Sequence, residues 1–354
     1  MSRFFDERLS RLVPYTPGEQ PQDMQYVKLN TNESPFPPSP VAARMAREEA
    51  GRLYLYSDPT CGTLCEAAAD AFGVSPDEVI FGNGSDEILN FAFIAFCGKD
   101  RPAAFPDVTY GFYPVFAELN GVGYEEIPLS EDLRIIPSDY FGLGKTVFIA
   151  NPNAPTGIAL SAAEIESIVK SNENSVVVVD EAYVDFGAES CRGLINRYGN
   201  LLVVGTFSKS RSLAGGRLGF GLASKELIAD LNAVRYSINP YNVNRMTMAA
   251  GVGALRDTEY FEYCRSRIIS TRKRMEKALV SLGFTCTDSS ANFIFARHRA
   301  IGGEELYLKL KEKGVLVRHF GKERIKDYVR ITVGSDVQAD ALIAALESIT
   351  GGAL

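Results

Sequence analysis

Three runs of consecutive apolar residues, at 147–149, 176–179 and 201–204, most constrain how this chain can fold. A strand that faces water on one side alternates polar and apolar residues, whereas an unbroken apolar run indicates a strand buried on both faces. Segments with helical periodicity, such as 85–96 and 161–169, alternate with these runs. The pattern therefore predicts an α/β fold with a large, doubly wound and mostly parallel sheet covered by helices.

Changes in composition and in the predicted secondary structure divide the chain into three parts. At 354 residues it exceeds what one ordinary hydrophobic core contains. We expect an extended, proline-rich N-terminal arm at 1–40 and a large sheet domain at 41–250. A long charged helix near 258–282, followed by short strands and helices, predicts a smaller α+β domain at 251–354.

Composition disfavours several classes of protein. The chain has 37 basic and 44 acidic residues, and its formal net charge of -7 argues against binding nucleic acid through bulk electrostatics. The longest apolar runs are too short to cross a bilayer, and the first residues lack the apolar core of a signal peptide. We therefore expect a cytoplasmic protein with reduced cysteines that contacts neither nucleic acid nor a membrane.

The inventory of reactive side chains is narrow. The two histidines, His298 and His319, are too few for a metal centre with several histidines, and a His-based triad is disfavoured. No second cysteine pair completes a zinc site with Cys61 and Cys65, so we expect no metal. The chemistry must then depend on lysine, aspartate, tyrosine, arginine or an organic cofactor.

The segment 206–219 carries the strongest chemical signal. Lys209 follows the third apolar run where the chain turns into a glycine-rich stretch, so its amine is expected to be partly desolvated. Such a lysine forms Schiff bases with carbonyl compounds. Thr206, Ser208 and Arg217 place hydroxyl groups and a guanidinium nearby, which suit a phosphate. Together these residues predict pyridoxal 5'-phosphate as a cofactor.

Two further segments are expected at the same site. Asp180 follows the second apolar run, and ligands of parallel sheets bind beyond the carboxyl ends of the strands. A carboxylate there would keep the nitrogen of a pyridine ring protonated. The turn 82–87 precedes an apolar helix, whose start at Ser85 and Asp86 would bind the cofactor's phosphate. The alternative for both segments is structural, as a helix cap or a loop carboxylate.

A rigid loop and three isolated polar side chains complete the candidate set. Loop 151–157 contains two prolines and a glycine at the same expected sheet edge. Tyr110 and Tyr183 follow strands, where each is either a core residue or an aromatic partner for a flat ring. Arg330 lies in an otherwise apolar strand, which indicates a buried anion, either structural or part of a substrate.

Seven segments, spread over the whole chain, carry a resemblance to one known family. They are 28–40, 56–59, 82–87, 151–157, 180–183, 208–217 and 330–334. In this order they resemble the histidinol-phosphate aminotransferases, pyridoxal-phosphate enzymes of the aspartate-aminotransferase fold. The lysine segment with Asp180 is specific for the fold. The Asn-Glu-Ser-Pro arm at 32–35 and the Tyr-Ser-Asp-Pro element at 56–59 favour the histidinol-phosphate group.

The resemblance implies a role for each candidate residue. Lys209 would carry the Schiff base and move protons, Asp180 would pair with the ring nitrogen, and Tyr183 would donate to the ring's phenolic oxygen. Tyr110 would stack on the ring. The phosphate would be surrounded by Gly84, Ser85, Asp86, Thr206, Ser208 and Arg217, together with Tyr56 of the partner subunit. The substrate would be held by Arg330, Tyr15 and Asn32. The resemblance thus implies a homodimer with shared active sites, whose arm packs on the small domain and the partner.

Two positions depart from the family pattern. The family usually has asparagine directly before its Pro-Thr-Gly, where this chain has Ala154, and Asn153 is the candidate to replace its contact with the ring oxygen. Arg211 adds a cation close to Lys209, so the preferred substrate stays open.

The resemblance favours transamination between histidinol phosphate and 2-oxoglutarate. The alternatives within the fold are an aromatic amino-acid aminotransferase and an amino-acid-phosphate decarboxylase. A third alternative is a catalytically silent module that binds the cofactor for regulation. We expect it least, because such modules normally carry a basic helix-turn-helix domain that this sequence does not show.

Overall fold

The computed structural model describes residues 2–10 and 12–351, which contain thirteen β-strands and ten α-helices. The strands are β1 (Val27–Lys28), β2 (Val79–Asn83), β3 (Ala103–Pro106), β4 (Tyr124–Ile127), β5 (Thr146–Ala150), β6 (Val177–Asp180), β7 (Leu201–Thr206), β8 (Leu218–Ala223), β9 (Phe284–Cys286), β10 (Phe293–His298), β11 (Val315–Leu316), β12 (Arg318–His319) and β13 (Tyr328–Thr332). The helices are α1 (Pro40–Ala50), α2 (Gly62–Phe72), α3 (Ser85–Phe96), α4 (Phe112–Asn120), α5 (Ala162–Ser171), α6 (Lys225–Ile238), α7 (Arg245–Arg256), α8 (Thr258–Ser281), α9 (Gly303–Glu312) and α10 (Asp336–Thr350).

The largest sheet has seven strands in the order β2-β8-β7-β6-β5-β3-β4. Strands β4, β3, β5, β6 and β7 run parallel to one another, and β8 runs antiparallel to both of its neighbours. The predicted α/β class with a mostly parallel sheet is therefore confirmed. Because β5, β6 and β7 are parallel neighbours, their carboxyl ends meet at one edge of the sheet.

The side chains of the central strands alternate between two hydrophobic cores. Val177 and Val179 of β6 pack into one core with α2, α5 and α7. Val178, between them, packs into the other core with α3, α4 and α6. All three valines are fully buried, so the unbroken apolar run corresponds to a strand covered on both faces.

A second, four-stranded antiparallel sheet forms the C-terminal third of the chain. Its order is β12-β13-β10-β9, and it packs with α8, α9 and α10 around a third core. Strand β1 of the arm pairs in parallel with β11, and Leu29, just after β1, is fully buried in that third core. The arm is thus tied to the C-terminal part of the fold.

Strands β4 and β8 and helices α6 and α7 are not predicted from the sequence pattern. In β8 the reason is visible, because glycine alternates with larger residues and weakens the strand signal. A Cβ on Gly219 would lie only 2.2 Å from the backbone nitrogen of Ser85, so the close approach of β8 to the start of α3 requires glycine. None of the described helices is both long and apolar enough to cross a membrane.

Candidate active site

The carboxyl ends of β5, β6 and β7 open into a cavity of about 700 Å³. The arm and the segment around β12 form the opposite walls. Twelve residues predicted from the sequence line this cavity, namely Tyr15, Asn32, Ser85, Asp86, Tyr110, Asp180, Tyr183, Thr206, Ser208, Lys209, Arg217 and Arg330. The structure therefore brings together residues that are up to 315 positions apart, from Tyr15 to Arg330.

Lys209 projects into the cavity three residues after β7 ends. Its Nζ donates a hydrogen bond of 3.3 Å to the carbonyl oxygen of Thr31 in the arm. The same atom lies 5.7 Å from the centroid of the Tyr183 ring. The amine therefore lies between the arm and an aromatic wall, where a carbonyl ligand in the cavity can reach it.

Asp180 closes the inner end of the cavity, at the end of β6. Its carboxyl group is buried, with Oδ1 accepting from the backbone nitrogen of Ala182 at 3.1 Å and Oδ2 from the hydroxyl of Tyr113 at 3.3 Å. Burial raises the pKa of Asp180 to about 7. Since both hydrogen-bond donors are neutral, a cationic ring nitrogen placed against this carboxylate would supply the charge that the site lacks.

The start of α3 forms an anion-binding corner. Gly84 precedes the helix with φ +80°, and a Cβ on it would lie 2.4 Å from Nη2 of Arg217. Ser85 and Asp86 are the first two residues of α3, and the N–H groups of a first helical turn have no partner within the helix. Glycine here keeps the backbone and the guanidinium close together, which leaves a cradle suited to a phosphate.

The loop after β7 supplies the other side of this corner. The backbone nitrogen of Ser208 donates to Thr206 Oγ1 at 3.1 Å, and Nη1 of Arg217 lies 3.5 Å from Ser208 Oγ. Arg217 also pairs with Asp86, at 3.3 Å between Nη2 and Oδ2. Two hydroxyl groups, a guanidinium and a helix start thus face one point of the cavity wall, so a phosphate would share Arg217 with the Asp86 carboxylate.

Tyr110 forms an aromatic wall beside this corner. Its hydroxyl donates a hydrogen bond of 2.7 Å to Oδ1 of Asp86, and burial raises its pKa well above the ordinary range. Its ring lies edge-on to that of Tyr113, with centroids 5.7 Å apart. Tyr15 of the arm stacks on Phe112 at 4.3 Å and completes the wall.

Arg330 lies at the opposite end of the cavity, on β13. Its Nη2 donates to the carbonyl oxygen of Asn30 at 3.1 Å, and its guanidinium lies over the rings of Phe293 and Phe320, at 5.4 and 5.6 Å. Its Nε is buried with no hydrogen-bond partner. Burial lowers the pKa of Arg330, and an anionic group in the cavity would satisfy this partly desolvated cation.

These residues fit a flat, phosphorylated ring bearing a nitrogen cation and a carbonyl group. A sequence profile of the family described as "Aminotransferase class I and II" matches residues 24–346. The chain belongs to this family. It is 49% identical to the histidinol-phosphate aminotransferase of Marinomonas sp. over 353 residues, which cover 99% of this chain and all of that protein. It is 44% identical to the histidinol-phosphate aminotransferase of Brachyspira hyodysenteriae, with 99% of each chain covered.

Solved structures show the same fold. Histidinol-phosphate aminotransferase from Sinorhizobium meliloti, in complex with pyridoxal-5'-phosphate, has a TM-score of 0.90 to this aminotransferase at 24% identity, covering 99% of this chain and 98% of that one. An aspartate aminotransferase from Thermus thermophilus has a TM-score of 0.84 at 20% identity, with 99% of each chain covered. The resemblance and the aspartate-aminotransferase-like fold predicted from the sequence are both confirmed.

Three of the predicted residues do not line the cavity of this aminotransferase: Gly84, Asn153 and Tyr56. Gly84 acts through the backbone approach to Arg217 described above. The Asn153 amide donates to the carbonyl oxygen of Val108 at 2.9 Å and accepts from Thr109 Oγ1 at 2.8 Å. Asn153 therefore supports the loop that leads to Tyr110, and the cavity wall at this point is formed by Ala154 instead.

Tyr56 lies outside the cavity on the protein surface. Its side chain is 79% exposed and its ring stacks on that of Tyr241 at 4.5 Å. An exposed aromatic pair of this kind is available to contact another molecule, while it contributes nothing to the cavity of its own chain.

The expectation that Arg211 adds a cation to the site is wrong. Its side chain points away from the cavity, where Nη1 donates to the carbonyl oxygen of Ala254 at 2.7 Å and the guanidinium lies 4.2 Å from the ring centroid of Phe261. Burial lowers its pKa. Arg211 thus joins the lysine segment to the helices beside it and leaves the charge of the cavity unchanged.

Sequence reasoning missed two parts of the site. Tyr113, the fully buried partner of Asp180, reads in sequence as one more apolar residue of a helix. Tyr110 precedes α4, which begins at Phe112, so helical spacing gave no signal for the contact between Tyr113 and Asp180. The segment with Arg318, His319 and Phe320, which walls the cavity opposite β7, carries no sequence pattern that predicts it.

Proposed function

We propose that this aminotransferase uses pyridoxal 5'-phosphate to transfer an amino group between histidinol phosphate and 2-oxoglutarate. The observation that carries the proposal is the placement of Lys209 and the buried Asp180 in one cavity, with Arg330 at its far end. Near-full-length relatives at 44% and 49% identity bear the name histidinol-phosphate aminotransferase, which supports this choice of substrates.

The cofactor would be held by the residues that line the inner half of the cavity. Asp180 would face the ring nitrogen, Tyr183 the phenolic oxygen, and Tyr110 one face of the ring. Backbone groups at Gly84, Ser85 and Asp86, with Thr206, Ser208 and Arg217, would hold the phosphate. Asn153 would contribute through the loop that it supports, since its amide is engaged with Val108 and Thr109.

The cofactor supplies an electron-withdrawing ring that weakens the C–H bond next to the substrate's amino group. The chain supplies the base for that proton, for which Lys209 Nζ is the group placed in the cavity. The ionised Asp180 holds the ring nitrogen in its cationic form. The Tyr183 ring and the arm around Thr31 lie next to the Lys209 amine and reduce its contact with water.

Arg330 would bind the anionic end of each substrate. Histidinol phosphate carries a phosphate and 2-oxoglutarate two carboxylates, and a guanidinium fork matches both kinds of anion. Tyr15 and Asn32, on the arm, would close the cavity over the bound substrate. Aromatic walls formed by Tyr15 and Phe320 suit the flat imidazole of the amino donor.

We further propose that two copies of the chain form a cytoplasmic homodimer with shared active sites. In it Tyr56 of the partner subunit would reach the cofactor's phosphate, which accounts for its exposure in the single chain. The arm at 1–40, the large domain at 41–250 and the small domain at 251–354 would act as three units around the cavity, with the arm against both the small domain and the partner.

The function is tested by reconstituting the purified protein with the cofactor. The wild-type protein and a Lys170→Ala control, an exposed lysine of α5, should become yellow and incorporate a borohydride-reducible label, whereas Lys209→Ala should lose both the label and turnover. A colourless, unlabelled wild-type protein would overturn the proposal.

The choice of substrate is tested by steady-state kinetics. Histidinol phosphate should have a higher kcat/KM than phenylalanine, tyrosine or threonine phosphate. Preferred turnover of an aromatic amino acid, or release of carbon dioxide, would establish one of the alternatives instead.

Shared active sites are tested by mixing two inactive variants. A heterodimer of Lys209→Ala and Tyr56→Ala chains would contain one site in which both residues are wild type. It should therefore recover about half of the wild-type activity, while each homodimer stays impaired. Absence of recovery, with heterodimers present by mass spectrometry, would show that Tyr56 acts within its own chain.

A further inference from the structure

Four residues at the cavity wall and directly behind it are joined by hydrogen bonds, and we call them the Asn32 network: Asn32, Tyr183, Asn292 and Thr332. Asn32, Asn292 and Thr332 are buried, with at most 3% of each exposed. Water therefore does not readily replace a missing partner, and the hydrogen bonds around Asn32 are made within the protein. Asn32 belongs to the arm, Tyr183 to the loop after β6, and Thr332 to the end of β13.

The Thr332 hydroxyl fixes the orientation of the Asn32 amide. Its Oγ1 accepts a hydrogen bond of 2.9 Å from the backbone nitrogen of Asn32. Its single hydrogen is then donated to Asn32 Oδ1, at 3.0 Å. Because an amide carries an oxygen acceptor on one side and an NH2 donor on the other, Nδ2 of Asn32 must face away from Thr332.

The Asn32 amide in turn fixes the direction of the Tyr183 hydroxyl. Nδ2 of Asn32 lies 3.1 Å from the phenolic oxygen, which accepts this hydrogen bond. The phenol's own hydrogen cannot point back along the same line, so it is left for an acceptor on the cavity side. Tyr183 lines the cavity, and the edge-on ring of Phe293, at 5.0 Å between centroids, fixes its plane.

The backbone around Asn32 is held equally firmly. Asn32 has φ +56°, a left-handed conformation that asparagine tolerates better than most residues. Its carbonyl oxygen accepts from Nδ2 of Asn292 at 3.0 Å, and the backbone nitrogen of Thr332 donates to the carbonyl oxygen of Leu29 at 2.9 Å. Thr332 lies two residues after Arg330, so both side chains leave the same face of β13.

We propose that Thr332 is a positioning residue whose hydroxyl, acting through Asn32, makes Tyr183 a hydrogen-bond donor toward the ring oxygen of the bound cofactor. The inference rests on the proposed function, because it concerns the cofactor named there. It adds a residue outside the cavity lining and assigns the arm a chemical role, since an arm that moved away would release Tyr183 to donate elsewhere.

The first test follows the absorption spectrum of the cofactor-loaded protein against pH, without substrate. A hydrogen bond donated to the ring oxygen lowers its basicity, so removing the bond should move the spectral midpoint upward by roughly one pH unit. Tyr183→Phe sets the full shift. Thr332→Val should move the midpoint in the same direction, and Thr332→Ser, which keeps the hydroxyl, should restore the wild-type value. A Thr332→Val midpoint equal to wild type, with Tyr183→Phe shifted, would overturn the proposal.

A second test combines NMR of the protein without cofactor with one further variant of the loaded protein. With the asparagine side-chain amides labelled with 15N, the Asn32 NH2 hydrogens should show NOE contacts to the Tyr183 ring in wild type and Thr332→Ser. Asn32→Asp, which replaces the donor by an acceptor, should shift the spectral midpoint of the loaded protein as Tyr183→Phe does. If the NOE contacts between the Asn32 amide and the Tyr183 ring persisted in Thr332→Val, the role of the Thr332 hydroxyl would be overturned. This result does not require bound cofactor, so it is distinguishable from failure of the proposed function.

Discussion

Asp107, directly after β3, forms an ion pair with Arg324, and 2.5 Å separates Oδ2 from Nη1. Nη2 of Arg324 also donates to the carbonyl oxygens of Leu129 and Ser130, at 2.9 and 3.0 Å. Arg324 lies in the turn between β12 and β13, a segment that supplies Phe320 to the cavity wall. One guanidinium thus joins the large sheet to the part of the chain that covers the candidate site.

Arg324→Ala should loosen this cover without removing any cavity residue. The pair is partly exposed, so its loss should weaken the attachment of residues 318–326 by about 1 kcal/mol. A loss of substrate-binding free energy of this size corresponds to a roughly fivefold rise in KM. We expect kcat to change less, because the residues around Lys209 stay in place. Hydrogen exchange of residues 318–326 should become faster. Arg44→Ala, which removes an exposed helical pair with Glu48, is the matched control. Unchanged hydrogen exchange in residues 318–326 would show that Arg324 does not hold this segment in place.

The buried charge of Asp180 predicts how the stability of the cofactor-free protein depends on pH. Burial raises the pKa of Asp180 to about 7, whereas an unfolded aspartate ionises near pH 4. Between these values the folded state binds more protons than the unfolded state, so the free energy of unfolding falls as pH rises through this window. The full cost, on the order of 2–4 kcal/mol, is present above about pH 7.

Asp180→Asn removes this dependence and provides the measurement. Without cofactor, Asp180→Asn should have a higher melting temperature than wild type at pH 8. This difference should be a few degrees larger at pH 8 than at pH 5. The neighbouring Glu181, whose pKa burial also raises to about 7, is present in both proteins, and only its repulsion with the Asp180 carboxylate is lost in the variant. Asp100→Asn, at an exposed position, should show no such difference. A melting difference that is the same at both pH values would contradict the buried-charge account.

Gly219→Ala should disturb the anion-binding corner at the start of α3, against which Gly219 packs. The added Cβ would lie 2.2 Å from the backbone nitrogen of Ser85 and 2.4 Å from the carbonyl carbon of Gly84, so β8 or the start of α3 must move. Overpacking of this kind costs about 1–3 kcal/mol. We expect lower thermal stability and at least a tenfold higher dissociation constant for the cofactor, measured by absorbance titration. Gly98→Ala, where a Cβ meets nothing within 4 Å, should change neither quantity.

The sheet and several helices of this fold could be predicted because local pattern determines them. Helix α3 begins and ends where the sequence predicts, and β5 contains the apolar run 147–149 with one more residue at each end. An unbroken apolar run and a glycine turn before an apolar helix are strong signals. Strand β8 escaped prediction because Gly219 serves a close backbone approach rather than strand propensity. Such an approach depends on a residue more than 130 positions away and leaves no local trace.

The candidate site was likewise predicted only in part. Residue type and strand ends were sufficient to predict Lys209 and Asp180, because parallel strands bring their carboxyl ends together. Side-chain direction was not available from sequence. Arg211 is two residues from Lys209 yet contacts Ala254, outside the cavity, and the Asn153 amide supports the loop at Val108 rather than facing the cavity. These directions are set by packing against distant segments, so they became visible only in the structure.

Arg330 provides the sharpest prediction about substrate binding. Its guanidinium is fixed by the carbonyl oxygen of Asn30 and lies over the rings of Phe293 and Phe320, which leaves the remaining donors for an anion. Arg330→Gln should raise the KM for 2-oxoglutarate about 100-fold, because hydrogen bonds to charged groups contribute about 1.5–3 kcal/mol. Arg330→Lys should recover only part of this, since an ammonium lacks the planar fork. Arg297→Lys, at an exposed position on β10, is the control. If Arg330→Lys matched wild type in steady-state kinetics, charge alone rather than the fork would determine binding.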